Sequence, residues 1–196
     1  MDMLCAYIQN NTLKQLENSC SRIQLIGCSQ GALLLRSLLW NSCLDSVVHK
    51  LDKLITFGGP NNGIYGLPSC KQLNLDSRLI MIGCNLLHQS IELTGPSVLD
   101  IFIYGLWDVL SFSSYWNSPE NSFEKLTFLS NINNEHSNQR KHKYLYEKLK
   151  GLVLISFEKE DIVLPSISTS FGYWNSFGDK LIPFNETKLY INDWIV

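Results

Sequence analysis

Ile23-Gln24-Leu25-Ile26-Gly27-Cys28-Ser29-Gln30-Gly31-Ala32-Leu33-Leu34-Leu35-Arg36-Ser37-Leu38-Leu39-Trp40 joins a short apolar run to a Leu-rich segment through Gly-Cys-Ser-Gln-Gly. A strand that turns sharply into a helix lifts a serine hydroxyl clear of the backbone, and G-x-S-x-G is the sequence form of that turn. Ser29 is therefore the candidate nucleophile. Side chains at positions 27 and 31 are expected to collide with neighbouring backbone, which accounts for a glycine at each. From Ala32 to Trp40 no Gly or Pro intervenes, and apolar residues fill the i, i+3, i+4 positions of a helix packed on a sheet. The positive end of that helix would favour an oxyanion beside Ser29, with the backbone N–H of Gln30 as one donor. The plainer alternative is a core helix with a serine at its cap. Cys28, between Gly27 and Ser29, reads as a small buried packing residue.

Two further apolar segments, Leu54 to Phe57 and Leu152 to Phe157, match Ile23 to Ile26 as strands buried on both faces of a parallel sheet. With a first helix expected within Leu4 to Leu16, the alternation of strands and helices gives the fold class α/β. Ligands in such sheets sit beyond the carboxyl ends of the strands. Ser29, Gly58-Gly59 and Glu160-Asp161 all follow strand ends and could converge there. The sheet-forming core comprises residues 1–65 and 149–196, interrupted by an insertion at 66–148 that is far longer than an ordinary connection. Its large apolar residues, among them Ile101, Trp107 and Trp116, serve either to pack the insertion onto the core or to line a cap that holds an acyl chain.

At 196 residues and 45% hydrophobic content the chain can form one sizeable core. A net charge of -2 with 16 Lys+Arg argues against an electrostatic grip on nucleic acid. The basic run Arg140-Lys141-His142-Lys143 reads as the solvated face of a helix. Asp100 and Asp108 interrupt the most hydrophobic stretch, Val98 to Phe112, so no apolar run is long enough to cross a membrane. The first residues lack the basic and apolar regions of a signal peptide, whereas six cysteines suit an oxidising compartment. Cysteines without C-x-x-C spacing and histidines scattered at 49, 88, 136 and 142 predict no metal site, and no other cofactor is expected. Asn10-Asn11-Thr12 and Asn185-Glu186-Thr187 are N-glycosylation sequons.

Taken in chain order, several blocks make the sequence resemble the palmitoyl-protein thioesterases. They are Gly27-Cys28-Ser29-Gln30-Gly31 with Leu35-Arg36 following; Phe57 to Cys70, reading Phe-Gly-Gly-Pro-Asn-Asn-Gly-Ile-Tyr-Gly-Leu-Pro-Ser-Cys; Tyr115-Trp116-Asn117-Ser118-Pro119; Phe128 to Glu135; Ile162-Val163-Leu164-Pro165; and Phe171-Gly172-Tyr173. The second block is more specific than the serine turn itself. The resemblance covers nearly the whole chain and implies a partial α/β-hydrolase fold with a large helical cap at 66–148. It also implies hydrolysis of the thioester joining a fatty acyl group to cysteine, in the lysosome or on the secretory route. S-acylated proteins or fatty acyl thioesters would be the substrates, with neither nucleic acid nor a transmembrane segment involved.

By the same resemblance, Ser29 takes the acyl group and Gln30 offers an oxyanion N–H. The acid lies five residues before the proline of Ile-Val-x-Pro, which is Glu160, where the family usually has Asp; Asp161 is the alternative one residue on. Cys5 with Cys43 and Cys70 with Cys84 fall near the positions of family disulfides. Two departures stand out. The triad order is Ser, then acid, then His, yet every histidine here precedes Glu160. The opening strands and the loop with the second oxyanion donor also lack counterparts. The expectation is a family member truncated at both ends and inactive as given, for want of the triad histidine. Another lipase or esterase of the same fold, or a non-catalytic acyl-binding fragment, remains the competing reading.

Overall fold

Three parallel strands, β1 (Ile23–Cys28), β2 (Leu51–Phe57) and β3 (Gly151–Ile155), lie side by side in that order. The computed structural model describes residues 2–18, 21–41, 43–67, 81–82, 84–86, 88–89, 111–119, 128–133, 135 and 143–191. Parallel neighbours need a crossover between them, and helix α3 (Gln30–Trp40) supplies the one from β1 to β2. It is preceded by α1 (Asp2–Ile8), a π-helical turn (Gln9–Leu13) and α2 (Lys14–Glu17), so the expected first helix is present with an irregular middle. Between β2 and β3 stand α4 (Phe128–Ile132) and α5 (Lys143–Lys148). A small antiparallel pair, β4 (Tyr173–Trp174) and β5 (Leu181–Ile182), and α6 (Lys188–Ile191) follow β3.

The apolar stripe of α3 explains its position. Ala32, Leu33, Leu38 and Leu39 are buried on it, and each large side chain so removed from water contributes about 1.5–3 kcal/mol. Leu38 and Leu39 join Leu25, Val47, Leu51 and Leu54 in the main core, between the sheet and the helices. Leu33 faces the other way and packs on Leu129 and Ile132 of α4. Within the insertion, α4 is therefore seated on the helix that follows Ser29. The remainder of the proposed cap lies outside the described residues.

Burial of the sheet differs from the sequence expectation. The strands are parallel as expected, but β1 alternates buried and exposed along its length. Ile26, Ile55 and Val153 are register partners across the three strands, and Ile26 is 61% and Val153 38% exposed. The described helices cover the opposite face, where Leu25 and Leu54 lie in the core. Continuous apolar strands anticipated two covers, whereas the described residues supply one.

A disulfide joins Cys5 in α1 to Cys43 just beyond α3, as the family resemblance implies. Cys84 is also disulfide-bonded; Cys70, its expected partner, lies outside the described residues, as does Cys20. Lys143 begins α5, but residues 140–142 of the basic run are not described. Among the described residues, no helix is long and apolar enough to cross a membrane.

Candidate active site

Ser29 is the residue between β1 and α3, and its backbone has φ 48° and ψ −126°. A side-chain-bearing residue at positive φ costs on the order of 1–3 kcal/mol, a strain that persists only where the surroundings over-determine it. Here they do. The Ser29 N–H donates to the Phe57 carbonyl at the end of β2 (2.8 Å), and its own carbonyl accepts from the Ala32 N–H in the first turn of α3 (3.0 Å). Helix and strand approach closely at Gly27, where a Cβ would stand 2.8 Å from the Ala32 backbone. Position 31 behaves otherwise: a Cβ there meets nothing within 4 Å, so the expected collision holds for Gly27 and fails for Gly31. Gln30 is the first residue of α3, so its N–H has no acceptor within the helix and remains available beside Ser29.

Glu160 follows β3. Its Oε1 accepts the backbone N–H groups of Ile162 (3.1 Å) and Val163 (2.9 Å), which fix the carboxylate. The neighbouring turn leaves room for it: Gly58 has φ 53°, and a Cβ there would lie 3.2 Å from Glu160 Oε2 and 2.7 Å from the Phe157 ring. Asp161 is exposed. Both acids line one cavity of about 390 Å³ together with Ser29, Cys28, Phe57, Gly58, Phe157, Lys159, Ile162 and Val163. The structure thus brings Ser29 and Glu160 to a common space, at the ends of strands that have β2 between them. Two interstrand spacings separate those ends by roughly 10 Å.

Cys28 is an exposed free thiol on the cavity wall, not the buried packing residue that its flanking glycine and serine implied. It lies on the uncovered face of β1. Neither His49 nor His88 lines the cavity. His49 belongs to the turn Asp45–Lys50 that enters β2, a strand length, or roughly 20 Å, from the end that carries the site. His136 and His142 lie outside the described residues. Among the described residues, no group of His, Cys, Asp and Glu has the arrangement of a metal site.

Beneath the site lies a buried polar centre that local sequence patterns gave no reason to expect. Arg36, about two turns along α3 from Ser29, has no exposure to solvent. Its Nη1 donates to the Asn61 carbonyl (2.6 Å), its Nε to the Tyr146 hydroxyl (3.1 Å), and its Nη2 to Asn133 Oδ1. The guanidinium also sits 4.7 Å from the centroid of the Phe171 ring. Asn133 passes the interaction on, its amide donating to Glu135 Oε1 (3.1 Å). Nearby, Asn62 donates from its backbone to Ser168 Oγ (3.1 Å) and from its amide to the Phe171 carbonyl (3.0 Å), while Asn117 donates to the Asn62 carbonyl (3.0 Å). Tyr173 closes the set by donating to the Asn117 carbonyl. Five of the six sequence blocks meet here, around the turn that begins at Gly58. Tyr115, packed beside Leu33, has its phenol raised above the ordinary value by burial.

A strained serine between a parallel strand and a helix is the arrangement of the α/β-hydrolases. A family model described as palmitoyl protein thioesterase matches residues 1–195. The chain belongs to that family. It is 31% identical to palmitoyl-protein thioesterase 1 of Caenorhabditis elegans, over 98% of this chain and 59% of that protein. It is likewise 31% identical to a palmitoyl-protein thioesterase-dolichyl pyrophosphate phosphatase fusion of Schizosaccharomyces pombe, over 97% of this chain and 28% of that protein. To lysosomal thioesterase PPT2-B of Xenopus laevis it is 27% identical, over 87% of this chain and 54% of that protein. The chain thus spans little more than half the length of two of these relatives and less of the fusion.

Proposed function

We propose that this chain carries the nucleophile, one oxyanion donor and the orienting carboxylate of a serine-type hydrolase that cleaves fatty acyl thioesters from protein cysteines. The observation that supports it most strongly is Ser29, held at φ 48° on the same cavity as the fixed carboxylate of Glu160. Ser29 and Glu160 line the same cavity, and in this reading a third group placed in it bridges the two. An imidazole does so, one ring nitrogen facing Ser29 and the other held by Glu160.

Each step then has an assigned group. Ser29 Oγ attacks the thioester carbonyl carbon while its proton moves to the imidazole. The tetrahedral oxyanion faces the Gln30 N–H. The carbon–sulfur bond breaks, and the cysteine thiol departs with the proton returned by the base. Water, activated by the same base, then cleaves the Ser29 ester and releases the fatty acid. Phe57, Phe157, Ile162 and Val163 give the cavity apolar walls suited to an acyl substrate. Glu160 is the carboxylate in this reading because two backbone N–H groups fix it; Asp161 is the exposed alternative.

The 196-residue polypeptide has no histidine after Glu160. On its own it is expected to turn over slowly, relying on binding and the oxyanion donor. An oxidising compartment of the secretory route or the lysosome fits the Cys5–Cys43 disulfide and the relatives named lysosomal thioesterases.

The test is hydrolysis of an S-palmitoyl peptide with and without added imidazole. A low basal rate, raised saturably by imidazole and abolished by Ser29→Ala, is the expected result. Rates that Ser29→Ala leaves unchanged would refute the assignment. Faster cleavage of the matching oxygen ester would favour the lipase alternative, and fatty acid binding without labelling of Ser29 by a serine-directed probe the non-catalytic one.

A further inference from the structure

Strand β1 ends in a thiol one residue before the serine. Successive side chains of a strand point to opposite faces, and the alternation of buried and exposed residues along β1 puts Cys28 on the open face of the sheet. It is a free, exposed cysteine, and it lines the same cavity of about 390 Å³ as Ser29. Its surroundings are apolar. Phe57, its register partner on β2, lines that cavity too, and Ile155 is the partner of Phe57 on β3. Two residues back along β1, about 7 Å away, Ile26 is 61% exposed on the same face. Cavity and sheet face therefore join in one apolar strip with the thiol at its head.

We infer that Cys28 is a second nucleophile of this cavity and takes the acyl group of a fatty acyl thioester by thiol exchange. The inference rests on the substrate class of the hydrolase reading, but it uses neither Ser29 nor a histidine. Cys28 Sγ, as thiolate, forms a bond to the carbonyl carbon of the substrate thioester. The bond from that carbon to the substrate sulfur breaks, and the proton given up by Cys28 ends on the departing thiol.

One thioester replaces another, so the step needs no oxidant, metal or energy source. Its equilibrium is set by how well each side holds the acyl chain. On Cys28 the chain lies against Phe57 and Ile26, out of water, and this draws the transfer forward. The same strip gathers the substrate beside the thiol before reaction, which raises the rate above that of a thiol in free solution. A second thiol then removes the acyl group by the reverse step, so that the chain carries acyl groups between thiols.

The experiment incubates the full, disulfide-intact chain with an S-palmitoyl peptide and maps the acyl group by peptide mass before and after neutral hydroxylamine, which cleaves thioesters and spares oxygen esters. The expected result is one hydroxylamine-labile palmitoyl group on Cys28, kept in Ser29→Ala and lost in Cys28→Ser. Its rate should saturate with peptide and exceed by at least about tenfold that at Cys28 in the urea-unfolded chain. A bare Cys28, or equal rates in folded and unfolded chain, would overturn the inference. Cleavage that depends on Ser29 while Cys28 stays bare overturns it and leaves the hydrolase reading standing; acylation of Cys28 without Ser29-dependent hydrolysis supports it against that reading.

Discussion

Replacing Arg36 with methionine should lower the stability of this chain by about 3–4 kcal/mol. The substitution removes the donors to the Asn61 carbonyl and to Asn133 Oδ1, both within fully buried residues. Each buried acceptor left without a partner costs about 1–3 kcal/mol, so the two together cost roughly 2–6 kcal/mol. Loss of the contact with the Phe171 ring adds about 1–2 kcal/mol at a desolvated site. Opposing this, burying methionine in place of a guanidinium avoids the desolvation of a charge, a relief worth about 1–4 kcal/mol when hydrophobic side chains of similar volume replace buried ions. The balance favours the wild type. Urea unfolding of the disulfide-intact chain is the assay, and with a slope of about 2 kcal/mol per molar urea the midpoint should fall by about 1.5–2 M. Arg36→Lys, which keeps the charge but not the planar fork, should recover only part of the loss. If the methionine variant unfolds within about 1 kcal/mol of the parent, the hydrogen bonds of Arg36 are not what stabilises this centre, and the reasoning fails.

The two glycines of the serine turn should separate cleanly. Gly27→Ala forces a Cβ against the Ala32 backbone at 2.8 Å and should reduce both the thermal midpoint and labelling of Ser29 by a serine-directed probe. Gly31→Ala enters open space within a helix and should stabilise by about 0.5–1 kcal/mol, visible as a rise in the same midpoint. Breaking the Cys5–Cys43 disulfide, which spans 38 residues of sequence, should cost at most about 4 kcal/mol in the chain-entropy account, measured by comparing Cys5→Ser with the oxidised parent. Tyr115 predicts a limit at alkaline pH. Its folded phenol value is raised, so its contribution is intact below the ordinary value of about 10 and is lost as pH climbs through the folded value. Tyr115→Phe should flatten that decline in a pH series of unfolding midpoints.

The parts of the fold that local pattern could reveal were legible. The strand-to-helix turn, the three strand cores and the uninterrupted helix of Leu33 to Leu39 are each encoded in contiguous residues. Place after β3 pointed to Glu160 and Asp161 alike, and only the family resemblance favoured Glu160; both line the cavity with Ser29, and two N–H groups hold Glu160. Cover of the sheet was misread because an apolar strand does not record whether a second layer stands over it; Ile26 and Val153 show that the described residues leave that face open. Cys28 went with the same error, since alternation along β1 turns it outward. Arg36 was quoted only as part of a motif. Its partners, Asn61, Asn133 and Tyr146, lie far along the chain, and no local periodicity points to pairings of that range.

The order of the sheet uncouples length along the chain from distance in space. Ser29 and Glu160 are set by the ends of β1 and β3 against β2, whatever the chain does between Phe57 and Gly151. The closure entropy of a connecting segment grows only logarithmically with its length. Evolution, or an engineer, is thus free to exchange most of that continuous stretch of gene, keeping the anchors that meet Leu33, Arg36 and Asn62, without moving Ser29 or Glu160.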